Sequence, residues 1–200
     1  MMFKFSNNWN KTVRGFWDEI LGNFDISKVL EIGSYEGQSA CYLAEKMHYG
    51  DIHCIDNWVG CDELKNRNIN FVEVEDKFDY NINLAKDKNK LINFFKYKKQ
   101  SYIQLSEFIS QGKENYFDLI YVDGAHDSQN VIMDAILSYK LVKQDGIIIF
   151  DDYLRKTKDK NLLKSPKFAI DSFVNIFHDK LYIIRHTLNQ LYVIKTDKLD

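Results

Sequence analysis

The run Gly146-Ile147-Ile148-Ile149-Phe150 is apolar throughout and stops at once on Asp151-Asp152. A strand with one wet face alternates apolar and polar residues, so an unbroken apolar run must be covered on both faces. The same signature recurs. Val29-Leu30-Glu31-Ile32 ends at Gly33, residues 51–56 end at Asp56, and Phe117 to Asp123 ends at Gly124. Helical patterns lie between them over residues 37–47, 101–110 and 127–142, the last with Val131, Ile132, Ala135, Ile136 and Tyr139 on one face. Alternating strands and helices with doubly buried strands imply an α/β chain with a parallel sheet. Ligands of such sheets bind outside the carboxyl ends of the strands.

The remaining segments are read as follows. Residues 8–22 predict an amphipathic N-terminal helix carrying Trp9, Phe16 and Trp17, expected to serve as core or as a contact in a homodimer. Residues 57–98 are polar, with a helix expected near 78–95 and a short strand near 96–99. A helix over 166–178 starts at Pro166, a residue favoured in a first helical turn. Leu181 to Arg185 and Leu191 to Lys195 predict a hairpin around Asn189. With 200 residues and no internal repeat, one domain spanning 1–200 is expected, with 57–98 and 153–167 as insertions shaping a substrate site.

Charge narrows the function. There are 27 Lys and Arg against 29 Asp and Glu. That near-balance supplies no broad positive field for coating nucleic acid or an anionic membrane. No apolar run reaches the roughly 18 residues of a membrane span. The start shows no signal-peptide pattern. Three cysteines without a CxxC predict a reducing, cytoplasmic setting rather than a disulfide framework. Adjacent residues of a strand face opposite ways, so His53 and Cys54, with Cys61, do not predict zinc.

Polar residues gather where the strands end. Glu31, Asp56, Asp123, Asp151 and Asp152 all fall at or near predicted carboxyl ends, and five acids on one edge repel unless a cation or donor-rich ligand offsets them. The stretch Glu31-Ile32-Gly33-Ser34-Tyr35-Glu36-Gly37 joins the first strand to its helix. Its glycines allow turn geometry and close backbone approach to a ligand, but the spacing G-x-x-x-G is not the dinucleotide G-x-G-x-x-G. Asp56 closes the second strand, where an acid can accept from both ribose hydroxyls. Together they point to a nucleoside-containing cofactor.

At these residues the chain resembles the class I S-adenosylmethionine-dependent methyltransferases. Glu31-x-Gly33-x-x-x-Gly37 is similar to their first motif and Asp56 to their second. Ile55-Asp56-Asn57-Trp58-Val59-Gly60, Val122-Asp123-Gly124-Ala125-His126-Asp127 and Gly146 to Tyr153 resemble more narrowly the bacterial methyltransferase domain 24 group, which includes macrocin and rhamnosyl O-methyltransferases and cephalosporin hydroxylase-like proteins. The resemblance implies a Rossmann-like, doubly wound, mostly parallel seven-stranded sheet with the last strand antiparallel. It implies that Glu31, Gly33, Ser34, Gly37, Asp56, Asn57, Trp58, Ser101 and Asp123 contact S-adenosyl-L-methionine, with Asp56 on the ribose and Ser101 near the adenine.

The order Asp123, His126, Asp151-Asp152 is also similar to the metal-dependent catechol- and caffeoyl-type O-methyltransferases, with His126 replacing Lys and Asp152 replacing Asn. This implies Asp123, Asp151 and Asp152 as ligands of Mg2+ and His126 as general base, acting with Asp123 at the reacting centre. The expected reaction is methyl transfer to a hydroxyl of a small molecule or sugar. Two other readings stay open: a cofactor-binding protein without turnover, and a nucleotide-cofactor oxidoreductase. Residues 153–167 carry Arg155, Lys156, Lys158, Lys160, Lys164 and Lys167 against Asp159 alone, which fits a solvated loop or a lid over an anionic substrate.

Overall fold

The computed structural model of the chain describes residues 1–60, 69–155, 161–186 and 189–196. They form two compact units, Met1–Lys98 and Lys99–Asp200.

In the first unit, strands β1 (Lys28–Ile32), β2 (Gly50–Asp56) and β3 (Ile92–Lys98) run parallel, with β2 in the middle. Helix α1 (Arg14–Asn23) buries Trp17 and Ile20. The expected helix over 8–22 is broken, because a 3-10 turn occupies Trp9–Thr12 ahead of α1. Helix α2 (Gln38–Lys46) packs against α3 (Phe71–Lys88).

Helix α3 starts and ends earlier than the periodicity predicted, and β3 with it. The Asn70 side chain accepts from the N–H groups of Val72 and Glu73 and so caps α3 at its start. Asn89 ends it, its amide donating to the carbonyls of Ala44 and Met47. Residues 71–98 thus supply a helix and a strand, while 61–68 lie outside the described residues.

In the second unit, β4 (Phe117–Val122) runs parallel to β5 (Val142–Phe150). Strand β7 (Leu191–Lys195) is antiparallel to both β5 and β6 (Leu181–His186). Helices α4 (Ser101–Ser110), α5 (Ser128–Leu141) and α6 (Pro166–Ile176) complete the unit, with α5 packed against both neighbours. Ile147, Ile148, Ile149 and Phe150 are at most 1% exposed, as a strand covered on both faces must be. Strand β5 begins four residues before the apolar run, at Val142, which pairs with Phe117 ahead of a register shift.

The fold class is Rossmann-like α/β, with seven strands among the described residues, mostly parallel, the last antiparallel to its neighbours. No described helix is long and apolar enough to cross a membrane.

Candidate functional site

Two groups of polar residues stand at strand ends, one in each unit. The first surrounds the turn from β1 into α2. Gly33 (φ +89°) and Gly37 (φ +76°) both take left-handed backbone that side chains resist. Gly37 is doubly constrained, because a Cβ there would lie 3.0 Å from the Phe78 ring. The Gly33 N–H donates to Ile55 O at 2.8 Å, tying the turn to β2.

Tyr35 between them is left-handed without being glycine (φ +47°), a conformation costing about 1–2 kcal/mol. Two bonds hold it there. Its N–H donates to Asp56 Oδ2 at 2.9 Å, and its carbonyl accepts from Trp58 Nε1 at 2.9 Å. Asp56 Oδ1 accepts from the Trp58 N–H at 2.8 Å. Burial pushes the Asp56 carboxyl up, against the pull of the Trp58, Tyr35, Asn57 and Ser34 amides. The Trp58 ring is buried, 4.8 Å from the Phe78 ring, with Lys96 Nζ 4.7 Å above it. Asn57 Oδ1 accepts from the Val59 N–H.

Glu31 is fully buried on β1. Burial pushes its carboxyl up to about 7, although the Ser34 and Ser39 hydroxyls face it and pull the other way. A buried carboxyl at this poise answers strongly to any donor or cation brought to it.

Glu36, which no pattern in the sequence marked out, is buried in the same turn. It accepts from the N–H and hydroxyl of Ser6 at 2.6 and 2.7 Å and pairs with Lys77 at 3.2 Å. Asn81 on α3 donates to Glu36 O and Lys4 O and accepts from the Lys4 N–H. Gln38 donates to Asn7 O. The segment 4–7 is thereby strapped to the turn. A cavity of about 410 Å³ lies alongside, lined in part by Ser6, Tyr35, Glu36, Glu73 and Lys77.

The second group surrounds the ends of β4 and β5. The Asp151 N–H donates to Val122 O at 2.9 Å, aligning the two ends. Tyr121 O–H donates to Asp123 Oδ2 at 3.0 Å. Asp127 caps α5 by accepting from the Asn130 N–H, which places His126 one residue before the cap. Asp152 is left-handed (φ +55°). Its turn is closed by the Arg155 N–H on Asp152 O at 2.9 Å and by the Tyr153 N–H on Asn189 O at 2.8 Å.

Asp123, His126 and Asp152 each present a ligand atom, all within 4.8 Å of one another. Asp151 stands outside that trio, with Gln190 and Tyr121 against its carboxyl. Burial drives the Asp123 carboxyl well above the ordinary range, and the charges of Asp151 and Asp152 add to this. Burial likewise raises Asp151. Asp152 moves the other way: burial pushes it up, but His126 and Arg155 outweigh that and hold it low. Buried carboxyls gathered beside an ionised Asp152 are a fit for a divalent cation.

Ser101 is the first residue of α4, and its hydroxyl approaches Asp134 on α5. Asp134 is 1% exposed, and burial pushes its carboxyl up to about 7. Nothing in the sequence pattern singled it out. Of the basic segment, Arg155 pairs with Asp152 and Lys167 with Asp171, whereas Lys156, Lys158 and Lys160 lie outside the described residues, as does Cys61. His53 is buried on β2, with Nδ1 3.0 Å from the Tyr97 hydroxyl.

The sequence pattern of the methyltransferase domain matches residues 30–153, which run from β1 through the acid pair after β5. The chain belongs to the methyltransferase domain family. Among relatives of this methyltransferase domain, a Dictyostelium discoideum protein named "Probable caffeoyl-CoA O-methyltransferase 3" is 26% identical over 168 residues, covering 76% of the chain and 59% of that protein. The chain spans 59% and 50% of the length of two curated relatives it matches. An O-methyltransferase from Bacillus cereus solved with SAH shares the fold at a TM-score of 0.68 and 17% identity, covering 96% of this chain and 84% of that one. A methyltransferase of the mycinamycin biosynthetic pathway, in complex with Mg, SAH and mycinamycin VI, does so at 0.61 and 15% identity, over 97% of this chain and 51% of its own.

Proposed function

We propose that this methyltransferase domain transfers a methyl group from S-adenosylmethionine to a hydroxyl oxygen of a small molecule or sugar, assisted by a divalent cation. The observation that carries the reading is the convergence of Asp123, His126 and Asp152 within 4.8 Å in a chain of this family.

In this reading Asp56 receives the ribose hydroxyls. Its carboxylate offers about four acceptor positions, and bonds to the Tyr35 and Trp58 amides fix its oxygens before a ligand arrives. Glu31, Gly33, Ser34 and Gly37 form the wall for the methionine end. Glu31, poised near 7, gains its negative charge fully when the cofactor's ammonium group supplies the donors it lacks. Asn57 and Trp58 hold the rim and Ser101 borders the adenine.

Asp123 and Asp152 hold the cation, with Asp151 adding negative charge beside them. When bound, magnesium orients the acceptor and lowers the pKa of its hydroxyl. His126 takes the proton. Its Nε2 stands 3.0 Å from Asp152 Oδ2, so a carboxylate is in place to stabilise the imidazolium that proton uptake produces. Methyl transfer is an in-line displacement, and holding donor and acceptor aligned supplies much of the rate.

The test has two stages. Calorimetric titration with S-adenosylhomocysteine should show binding by the wild type and loss of it in Asp56→Ala. A methyl-release screen over catechols and hydroxylated sugars, with and without Mg2+, should then show turnover abolished in Asp123→Ala and Asp152→Ala. Turnover and magnesium dependence surviving both substitutions would refute the assignment of the acids.

A further inference from the structure

Arg155 is absent from the site as the sequence outlines it, yet it closes on two of the three converging side chains. Its Nη1 is hydrogen-bonded to Asp152 Oδ2 and stands 3.2 Å from His126 Nε2. Its own N–H donates to Asp152 O at 2.9 Å, so main chain and side chain of one residue wrap the same aspartate. A guanidinium has donors only. What it touches here, a carboxylate oxygen and an imidazole nitrogen, are the kinds of atom the trio offers to a metal ion.

Nη1 carries two hydrogens and can give one to Asp152 and, in the tautomer that leaves a lone pair on Nε2, one to His126. In that tautomer the guanidinium engages the nitrogen that would act as base.

We propose that Arg155 is the resident counter-cation of the acid site, and that a divalent ion binds only by displacing its guanidinium from Asp152 and His126. This rests on the cation-site reading above and goes beyond it. Two positive groups cannot share Asp152 Oδ2 at contact distance, because a unit charge and a divalent ion about 4 Å apart repel strongly even near a protein surface. Without metal, Arg155 neutralises part of the repulsion among Asp123, Asp151 and Asp152 and releases His126 only when it leaves. Loading of the cation and release of the base are then one event.

The experiment is Mn2+ titration of the full 200-residue chain, read as loss of the free-Mn2+ paramagnetic resonance signal. Wild type, Arg155→Gln and Arg155→Lys are compared, with Asp152→Asn in each background to show that the ion counted is at this site. Arg155→Gln should bind Mn2+ about tenfold more tightly or better, from removal of one adjacent positive charge. Arg155→Lys should fall between, keeping the charge on a shorter side chain. In thermal melts Mn2+ should raise the melting temperature of Arg155→Gln more than that of the wild type, which also checks that the variant is folded. Equal or weaker Mn2+ binding by Arg155→Gln, with binding still lost in Asp152→Asn, overturns the proposal and leaves the cation site standing. No Mn2+ binding by any of the proteins overturns both.

Discussion

The carboxyl of Asp134 offers a measurement of how much the interior of the second unit resists charge. Asp134 lies on α5 at 1% exposure, and neither of its oxygens makes a well-formed hydrogen bond. Burial pushes it up to about 7, opposed by the Ser101 hydroxyl and helped by the charge of Asp127. In an unfolded chain an aspartate titrates at about 3.9. The folded pKa is raised, so the protonated form's contribution to stability is complete below about pH 4 and is lost as pH rises through about 7. At about 1.4 kcal/mol per pH unit for one proton, the whole loss is about 4 kcal/mol, of which about 3 kcal/mol falls between pH 5 and pH 8. Asp134→Asn keeps the shape and removes the titration. Urea unfolding of both proteins at pH 5 and pH 8, followed by circular dichroism, gives the four free energies needed. Relative to wild type, the variant should gain about 3 kcal/mol on going from pH 5 to pH 8. Glu31, also poised near 7, is present in both proteins and cancels in the difference. A wild-type-to-variant difference that is the same at both pH values would mean that Asp134 ionises without penalty, and the burial argument would fall.

Gly37→Ala should cost about 1–3 kcal/mol of stability, since a side chain must adopt φ +76° and meet Phe78 at 3.0 Å, and a lowered thermal midpoint would register it. Asp56→Asn should weaken S-adenosylhomocysteine binding about 10- to 100-fold in calorimetry, the worth of hydrogen bonds to a charged acceptor, and should lower the melting temperature as well, because an NH2 then faces the Tyr35 or the Trp58 N–H. Glu36→Ala removes the acceptor of both Ser6 bonds. Limited proteolysis should then cut within residues 1–8 several-fold faster, while cleavage elsewhere keeps its rate.

The sequence exposed those parts of the fold where burial leaves only one explanation. The runs that became β1, β4 and β5 are covered on both faces, and no soluble alternative accommodates them. Strand β3 was harder, because among the described residues it borders β2 alone and carries Lys96 and Lys98 in ion pairs with Glu75, so its pattern reads as polar. The start of α3 did carry a signal, Asn70 followed three residues later by Glu73, of the kind that caps helices. Among the candidate site residues, Glu31, Asp56, Asp123 and the Asp151-Asp152 pair stood out because acids at the ends of apolar strands are costly unless something offsets them. The contacts of Arg155 were not foreseen, because they depend on a turn made by Asp152 at φ +55° and on His126 lying 29 positions earlier. Glu36 was hidden for a similar reason, since its partners Ser6 and Lys77 are brought to it only by the fold.

The strap of residues 4–7 has a consequence for the order in which the chain settles during synthesis. Its segment leaves the ribosome before the rest of the unit, but the Lys4 main chain waits for Asn81, 77 positions later, and Ser6 for Glu36 and then Lys77. Contacts so distant along the chain are entropically expensive to close early. Residues 4–7 are therefore among the last of their unit to find their places, and the strap on the turn carrying Gly33, Tyr35 and Gly37 closes once α3 has been translated.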